Sequence, residues 1–292
     1  MPVTGPIPEW LLTVVAAATI FTVMLDVGLG VVLGEFRWVS RHPGLLARGL
    51  FAALIAVPAL ALLVCRLLGI PRPIEIGIVL MGISPGAPVA LRRSLGAGGH
   101  HSFAPALQIM LALLAVVSMP LSIAALNPYY AGHASVAPWH VARQVFLAQL
   151  LPLGIGILTR KAFPAQAARL VRWLDPLGTI LLIALATLAI ADVWEVVVGA
   201  GSRVGFAIVL ITALALAVGH LMGGPDGGTR TSVAISSAAR NPGLALLVAT
   251  LNAADPAISV TVLVYIAISA ITVVPYILWR RRAPPPADTV ES

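Results

Sequence analysis

The chain predicts an all-α integral membrane protein of about nine transmembrane helices, arranged as two inverted repeats. Three observations carry this. Of its 292 residues, 59% are hydrophobic and only 10% charged, against roughly 45–50% and about 25% in soluble domains. With a mean hydropathy of +1.00, a soluble fold could not hide that surface, so lipid is the solvent for most of it. Apolar runs of span length also follow one another along the chain. Finally, two of those runs are interrupted in the same way, by SPGAPVAL from Ser84 and NPGLAL from Asn241.

A full span needs roughly 20 apolar residues. The runs that meet this are Trp10–Leu33, Gly49–Leu68, Ile74–Leu95, Phe103–Leu126, Val141–Leu158, Leu177–Val198, Val204–Leu221, Thr229–Leu251 and Ala257–Leu278. The third and the eighth contain the breaks, at Pro85-Gly86 and Pro242-Gly243. Proline removes a backbone donor and clashes with the preceding turn, and glycine admits unusual dihedrals and close approach. Non-helical backbone at membrane depth survives only where it is buried in protein or lines a wet cavity. Interrupted segments at corresponding places in two halves mark a transporter binding site. The breaks lie five spans apart, and an odd offset inverts one half relative to the other. The halves are residues 1–132 and 133–282 of a single membrane domain, followed by a disordered cytoplasmic tail, 283–292.

Charge sets the orientation. With the N-terminus outside, the inner loops hold Arg37, Arg41, Arg48, Arg92, Arg93, Arg160, Lys161, Arg169, Arg172, Arg230 and Arg280 to Arg282, which is 13 of the 18 basic residues. The outer side holds four, Arg66, Arg72, Arg143 and Arg203, and Arg240 lies within a span. This bias follows the positive-inside rule and puts the C-terminus in the cytoplasm of a multi-pass plasma-membrane protein. The sequence pI of about 10.7 does not indicate nucleic acid, because the arginines are scattered between apolar runs instead of forming one basic footprint. The start of the chain has no basic region ahead of its first apolar run, and that run has the length of a full span, so no cleavable signal is expected. Cys65 is alone, which excludes an internal disulfide.

The order and spacing of MLDVGLGVVLGEFRWVSRHPGLLARG, MGISPGAP, QLLPLGIGILTRK and RNPGLALLVA resemble the bile acid:sodium symporter superfamily over nearly the whole chain. The resemblance implies a core domain, in which two broken helices cross near their Pro-Gly breaks, packed against a panel domain. Nine spans match members that lack an extra N-terminal helix. The departures bear on coupling. Sodium-coupled members read roughly Pro-Gly-Gly-x-x-Ser-Asn at the first break, and here Pro85 and Gly86 match while Ala90 and Leu91 stand at the Ser and Asn positions. At the second break they read Glu-x-Gly-x-Gln-Asn. Here Asn241 matches, but Ser236 and Arg240 replace the Glu and the Gln. Sodium needs hard oxygen ligands, and Ala, Leu and Arg side chains supply none.

Arg240 is costly at membrane depth, about 2.5–3.5 kcal/mol on insertion scales, and stays charged. Three roles are open: a fixed cation that holds the breaks together, an anchor for an anionic substrate beside the half-helix N-termini, or a snorkelling side chain. Asp26 in the first span is its candidate counter-ion. The alternatives for Asp26 are a proton carrier and a solvated vestibule residue. Asp192 is a weaker partner because Trp194 and Glu195 beside it suggest an interface. Ser84, Gly86, Gln108, Ser236, Ser237 and Asn241 complete the candidate substrate and ion site. Any of the serines can instead bond its own helix four residues back.

Other signals lead nowhere catalytic. GISPG at Gly82–Gly86 matches the nucleophile-elbow pattern, but that motif needs the backbone N–H after the serine, and Pro85 has none. His100 and His101 have no Cys or carboxylate at ligand spacing, so no metal site is expected. There is no P-loop for ATP coupling and no constellation of an enzyme. GVVLG at Gly30–Gly34 fits close helix packing, within the core or across a homodimer. The leading expectation is a secondary transporter of a small organic anion working by alternating access, coupled to protons, to sodium or to no ion, with no cofactor. The alternatives are a non-transporting sensor or scaffold on a transporter fold, and a sodium symporter with backbone ligands.

Overall fold

The computed structural model describes residues 9–30, 38–131, 136–199, 201–252 and 255–282. They form helices and connecting turns, with no strand among them. Helix α1 is Glu9–Gly30. Helix α2, Pro43–Leu67, carries a π-helical turn at Ala52–Ala56. The first broken helix is α3, Arg72–Gly82, followed by α4, Pro88–Gly96. Then come α5, Phe103–Leu126, and α6, Pro138–Ala162, with a second π-turn at Phe146–Leu150. Helix α7 is Pro164–Gly199 and α8 is Gly201–Met222. The second broken helix is α9, Gly227–Ala238, followed by α10, Pro242–Leu251. Helix α11, Pro256–Arg281, has one irregular residue at Val273.

Among the described residues, five helices are long and apolar enough to cross a membrane: α2, α5, α6, α8 from Ser202, and α11. Helix α1 adds a shorter apolar stretch, Val14–Gly30. The chain is an all-α membrane protein. Many large apolar residues, such as Phe51, Leu63, Val117 and Ile271, are exposed, as a lipid-facing surface requires.

Local chemistry explains where the helices start. Proline is at or next to the first position of α2, α3, α4, α6, α10 and α11, where its missing N–H costs nothing and its fixed φ suits the first turn. Side-chain oxygens of Asp226, Asn241 and Asp255 accept backbone N–H bonds at the starts of α9, α10 and α11, as N-caps do. Pro242 therefore begins α10 and does not kink a continuous helix.

The largest departure from the sequence expectation is α7. At 36 residues it is about 54 Å long, and it starts at Pro164, not near Leu177. The polar stretch containing Arg169, Arg172 and Asp175 reads as a loop by hydropathy, yet it is an exposed helical extension running into the span through Pro176. Asp192, Trp194 and Glu195 fall where the side chains lie outside the described residues, as does Gly34 of the GVVLG stretch. Gly30 of that stretch has open space beside it among the described residues. The tight crossing uses other glycines: a Cβ on Gly28 would strike the Leu153 carbonyl, and one on Gly156 would strike the Leu25 carbonyl. Helix α1 thereby packs against α6 on one side and α7 on the other. Helix α9 packs against α8, α4 and α5.

Candidate functional site

The two breaks meet. The backbone N–H of Asn241 donates to the carbonyl of Ser84 at 3.0 Å, so the non-helical backbone at one break satisfies that at the other. Gly86 adopts φ +77°, a left-handed conformation that glycine tolerates best, and it lies against the backbone of Ala112 in α5.

Asn241 is the hub. Its Oδ1 accepts from Leu244 N at 3.1 Å, and its Nδ2 donates to Oε1 of Gln149 at 3.3 Å. Gln149 in turn donates through Nε2 to the Ala112 carbonyl at 2.9 Å. Gln149 sits in the π-turn of α6 and is fully buried. It opens the QLLPLG stretch and was not among the sequence candidates. Its mark in the sequence is a polar side chain inside an apolar run.

Arg240 is buried, at 4% exposure. Its Nη1 and Nη2 both donate to the carbonyl of Ala53, at 3.0 and 2.9 Å. Ala53 lies in the π-turn of α2, where the wider winding interrupts the regular helical bonding and turns a carbonyl toward a new partner. The guanidinium fork thus closes on one carbonyl, and its Nε stays buried without a partner. Arg240 does not pair with Asp26. The expected counter-ion is taken by Arg92, whose Nη2 is 3.3 Å from Asp26 Oδ2.

A cavity of about 330 Å³ opens beside the crossing. Arg240, Asn241, Pro242 and Gly243 form one wall, and Ala87, Val89, Arg92 and Arg93 of the first broken segment form another. Thr19, Ile20 and Val23 of α1, Gly178 and Thr179 of α7, and Ser269 of α11 complete it. Arg93, Arg240 and the N-terminal ends of α4 and α10 lend it positive potential, Arg92 being offset by Asp26 and Asp175, while its walls are mostly apolar. The volume is near the lower end of the ~300–1,000 Å³ typical of small-molecule sites.

Among the other candidates, Ser84, Gly86, Gln108, Ser236 and Ser237 are buried but not on that cavity's wall. Ser84 Oγ donates to Leu80 O at 2.6 Å, the back-bonding usual for membrane serines. The Gln108 amide and the Ser237 hydroxyl are buried without partners. His100 caps α5 through Nδ1, accepting from Ser102 N and Phe103 N. Among the described residues no three His, Cys, Asp or Glu side chains gather as metal ligands.

The sequence has known relatives. A family model described as the sodium bile acid symporter family matches residues 17–200. The chain belongs to that family. It is similar to a rice protein named probable sodium/metabolite cotransporter BASS2, chloroplastic, at 24% identity over 96% of this chain and 67% of that protein. It is also similar to an uncharacterized sodium-dependent transporter of Bacillus subtilis, YocS, at 24% identity over 80% of this chain and 73% of that protein. The human P3 protein is 26% identical over 70% of this chain and 43% of its own length. Membership in the sodium bile acid symporter family makes the chain a membrane transport protein.

Proposed function

We propose that the chain is a secondary carrier that moves a small organic anion across the plasma membrane by alternating access, without a bound sodium ion. The observation that carries this reading is the bond from Arg240 to the Ala53 carbonyl. Where the resemblance puts a sodium ligand, this chain places a permanent cation on a backbone oxygen of α2. The positive, apolar-walled cavity beside it suits a carboxylate with an apolar body. On this reading the helices make nine crossings in two inverted halves. The N-terminus is outside, and a panel that includes α1, α6 and α7 rocks against a core built on the crossing.

The test is uptake of labelled carboxylates by proteoliposomes in sodium, potassium and choline buffers of equal ionic strength. Equal rates are expected. A steep requirement for sodium would refute sodium independence. One observation favours that second reading: the buried, unbonded Gln108 and Ser237 are side-chain oxygens that backbone carbonyls could join in a rebuilt ion site.

A further inference from the structure

Arg92 lies in the middle of α4, about one turn past its first residue, and it lines the cavity. Its partners are on the opposite wall. Nη1 donates to Thr179 Oγ1 at 2.8 Å, and Nη2 reaches Asp26 Oδ2 at 3.3 Å and the Asp175 carbonyl at 3.4 Å. Nη2 also forms an ion pair with the Asp175 carboxylate. Thr179 donates to the Asp175 carbonyl at 3.0 Å, fixing its lone pairs toward Arg92. One guanidinium on α4 is thus bound to α1 and α7 together. Among the described residues, Arg92 makes every ion pair that joins distant parts of the chain, since the others link Arg66 and Arg72 to nearby Glu75.

We infer that this cluster is a latch that closes one end of the cavity and must open for the cavity to reach that face of the membrane. Three features separate a latch from a strut. It joins α4, which belongs with the crossing, to α1 and α7, which pack on each other. It is half exposed: Arg92 is 41% and Asp175 48% exposed by side chain, against 11% for Asp26. Exposed pairs of that kind are weak singly and exchange readily with solvent, so the contact is breakable at low cost. It is also over-supplied with acceptors, two carboxylates to one guanidinium. Among the described residues, the second oxygen of Asp26, Oδ1, is buried and unpartnered, so it offers the returning arginine another acceptor on α1. The role of the latch in transport rests on the alternating-access reading; the closure itself does not.

The test needs no substrate. Ser269, on the cavity wall, is changed to cysteine in a Cys65→Ala background, and its labelling by a membrane-impermeant maleimide is followed in right-side-out and inverted vesicles. In Asp26→Asn with Asp175→Asn, labelling is expected to rise about tenfold from one face, the change that ~1.4 kcal/mol of lost closure gives, and not from the other. Arg92→Lys, which keeps the charge but not the fork, and Thr179→Val should shift the rate in the same direction by less. These milder variants decide the matter if the double variant does not fold. Rates matching the parent from both faces, or rising equally from both, overturn the latch. A one-sided rise in a protein that transports no anion would overturn the carrier reading and leave the latch standing.

Discussion

Arg240 donates with two nitrogens to a single carbonyl, and the energetics follow from that geometry. Removing the side chain leaves the Ala53 oxygen buried without its partner, which costs about 1–3 kcal/mol. Arg240→Gln and Arg240→Ala are therefore expected to melt lower than the parent, and Arg240→Lys, able to give one bond, to fall between. A melting series on purified protein checks the order. The neighbouring hub makes a parallel case. Gln149→Leu would strip the Ala112 carbonyl and the Asn241 amide together, with a loss of the same size and slower transport. The anomaly of Arg240 was legible in the sequence because a charge in an apolar run stands out. Its partner was not, although Pro58, five residues after Ala53 and lacking an N–H, removes the donor a π-turn would give that carbonyl. Asp26 was legible as an intrusion but was assigned the wrong cation. Arg92 reads as a loop charge until the fold brings α4 against α1 and α7.

At the scale of elements, the breaks were readable because proline and glycine act through local backbone physics. Gly86 adopts φ +77°, and an alanine there pays about 1–2 kcal/mol for the left-handed conformation, besides meeting Ala112 N at 3.3 Å. Gly86→Ala should lower the melting temperature and slow transport together, because the strained residue is at the crossing. The α1–α6 contact gives a sharper comparison. Gly156→Val would push a branched side chain into the Leu25 carbonyl, while Gly30 has open space beside it. Large destabilisation is expected for the first and near-parent stability for Gly30→Val, measured side by side. The sequence pointed to Gly30, not Gly28, because a G-x-x-x-G pattern ranks spacing and is blind to which face meets a neighbour. Helix α7 escaped for the opposite reason: a polar, exposed extension carries no hydropathy signal, yet helical bonding continues through it.

At the scale of the whole molecule, hydropathy and charge bias made the all-helical membrane class legible, since both follow from the solvent and need no tertiary contact. That the two breaks meet was legible only through the family resemblance, because the contact itself depends on backbone bonds such as Asn241 to Ser84. Asp26→Asn separates the readings of that carboxylate. As a latch partner, its loss changes cavity access while leaving anion exchange in place; as a proton carrier, its loss abolishes accumulation driven by a pH gradient. Exchange and gradient-driven uptake in one proteoliposome preparation distinguish the two.

A cation that is part of the polypeptide never dissociates. The bond between Arg240 and the Ala53 carbonyl therefore has a thermodynamic consequence on the sodium-free reading: it conducts no free energy from a sodium gradient into the cycle. With no co-transported ion, net flux follows the substrate's own electrochemical gradient. For a monovalent anion, a potential of 100 mV, negative inside, contributes about 2.3 kcal/mol, which is a roughly fiftyfold equilibrium ratio favouring the outside. Such a carrier would be an exporter by default. Imposing a potassium diffusion potential on loaded proteoliposomes, and watching the direction of anion movement reverse with its sign, would show it.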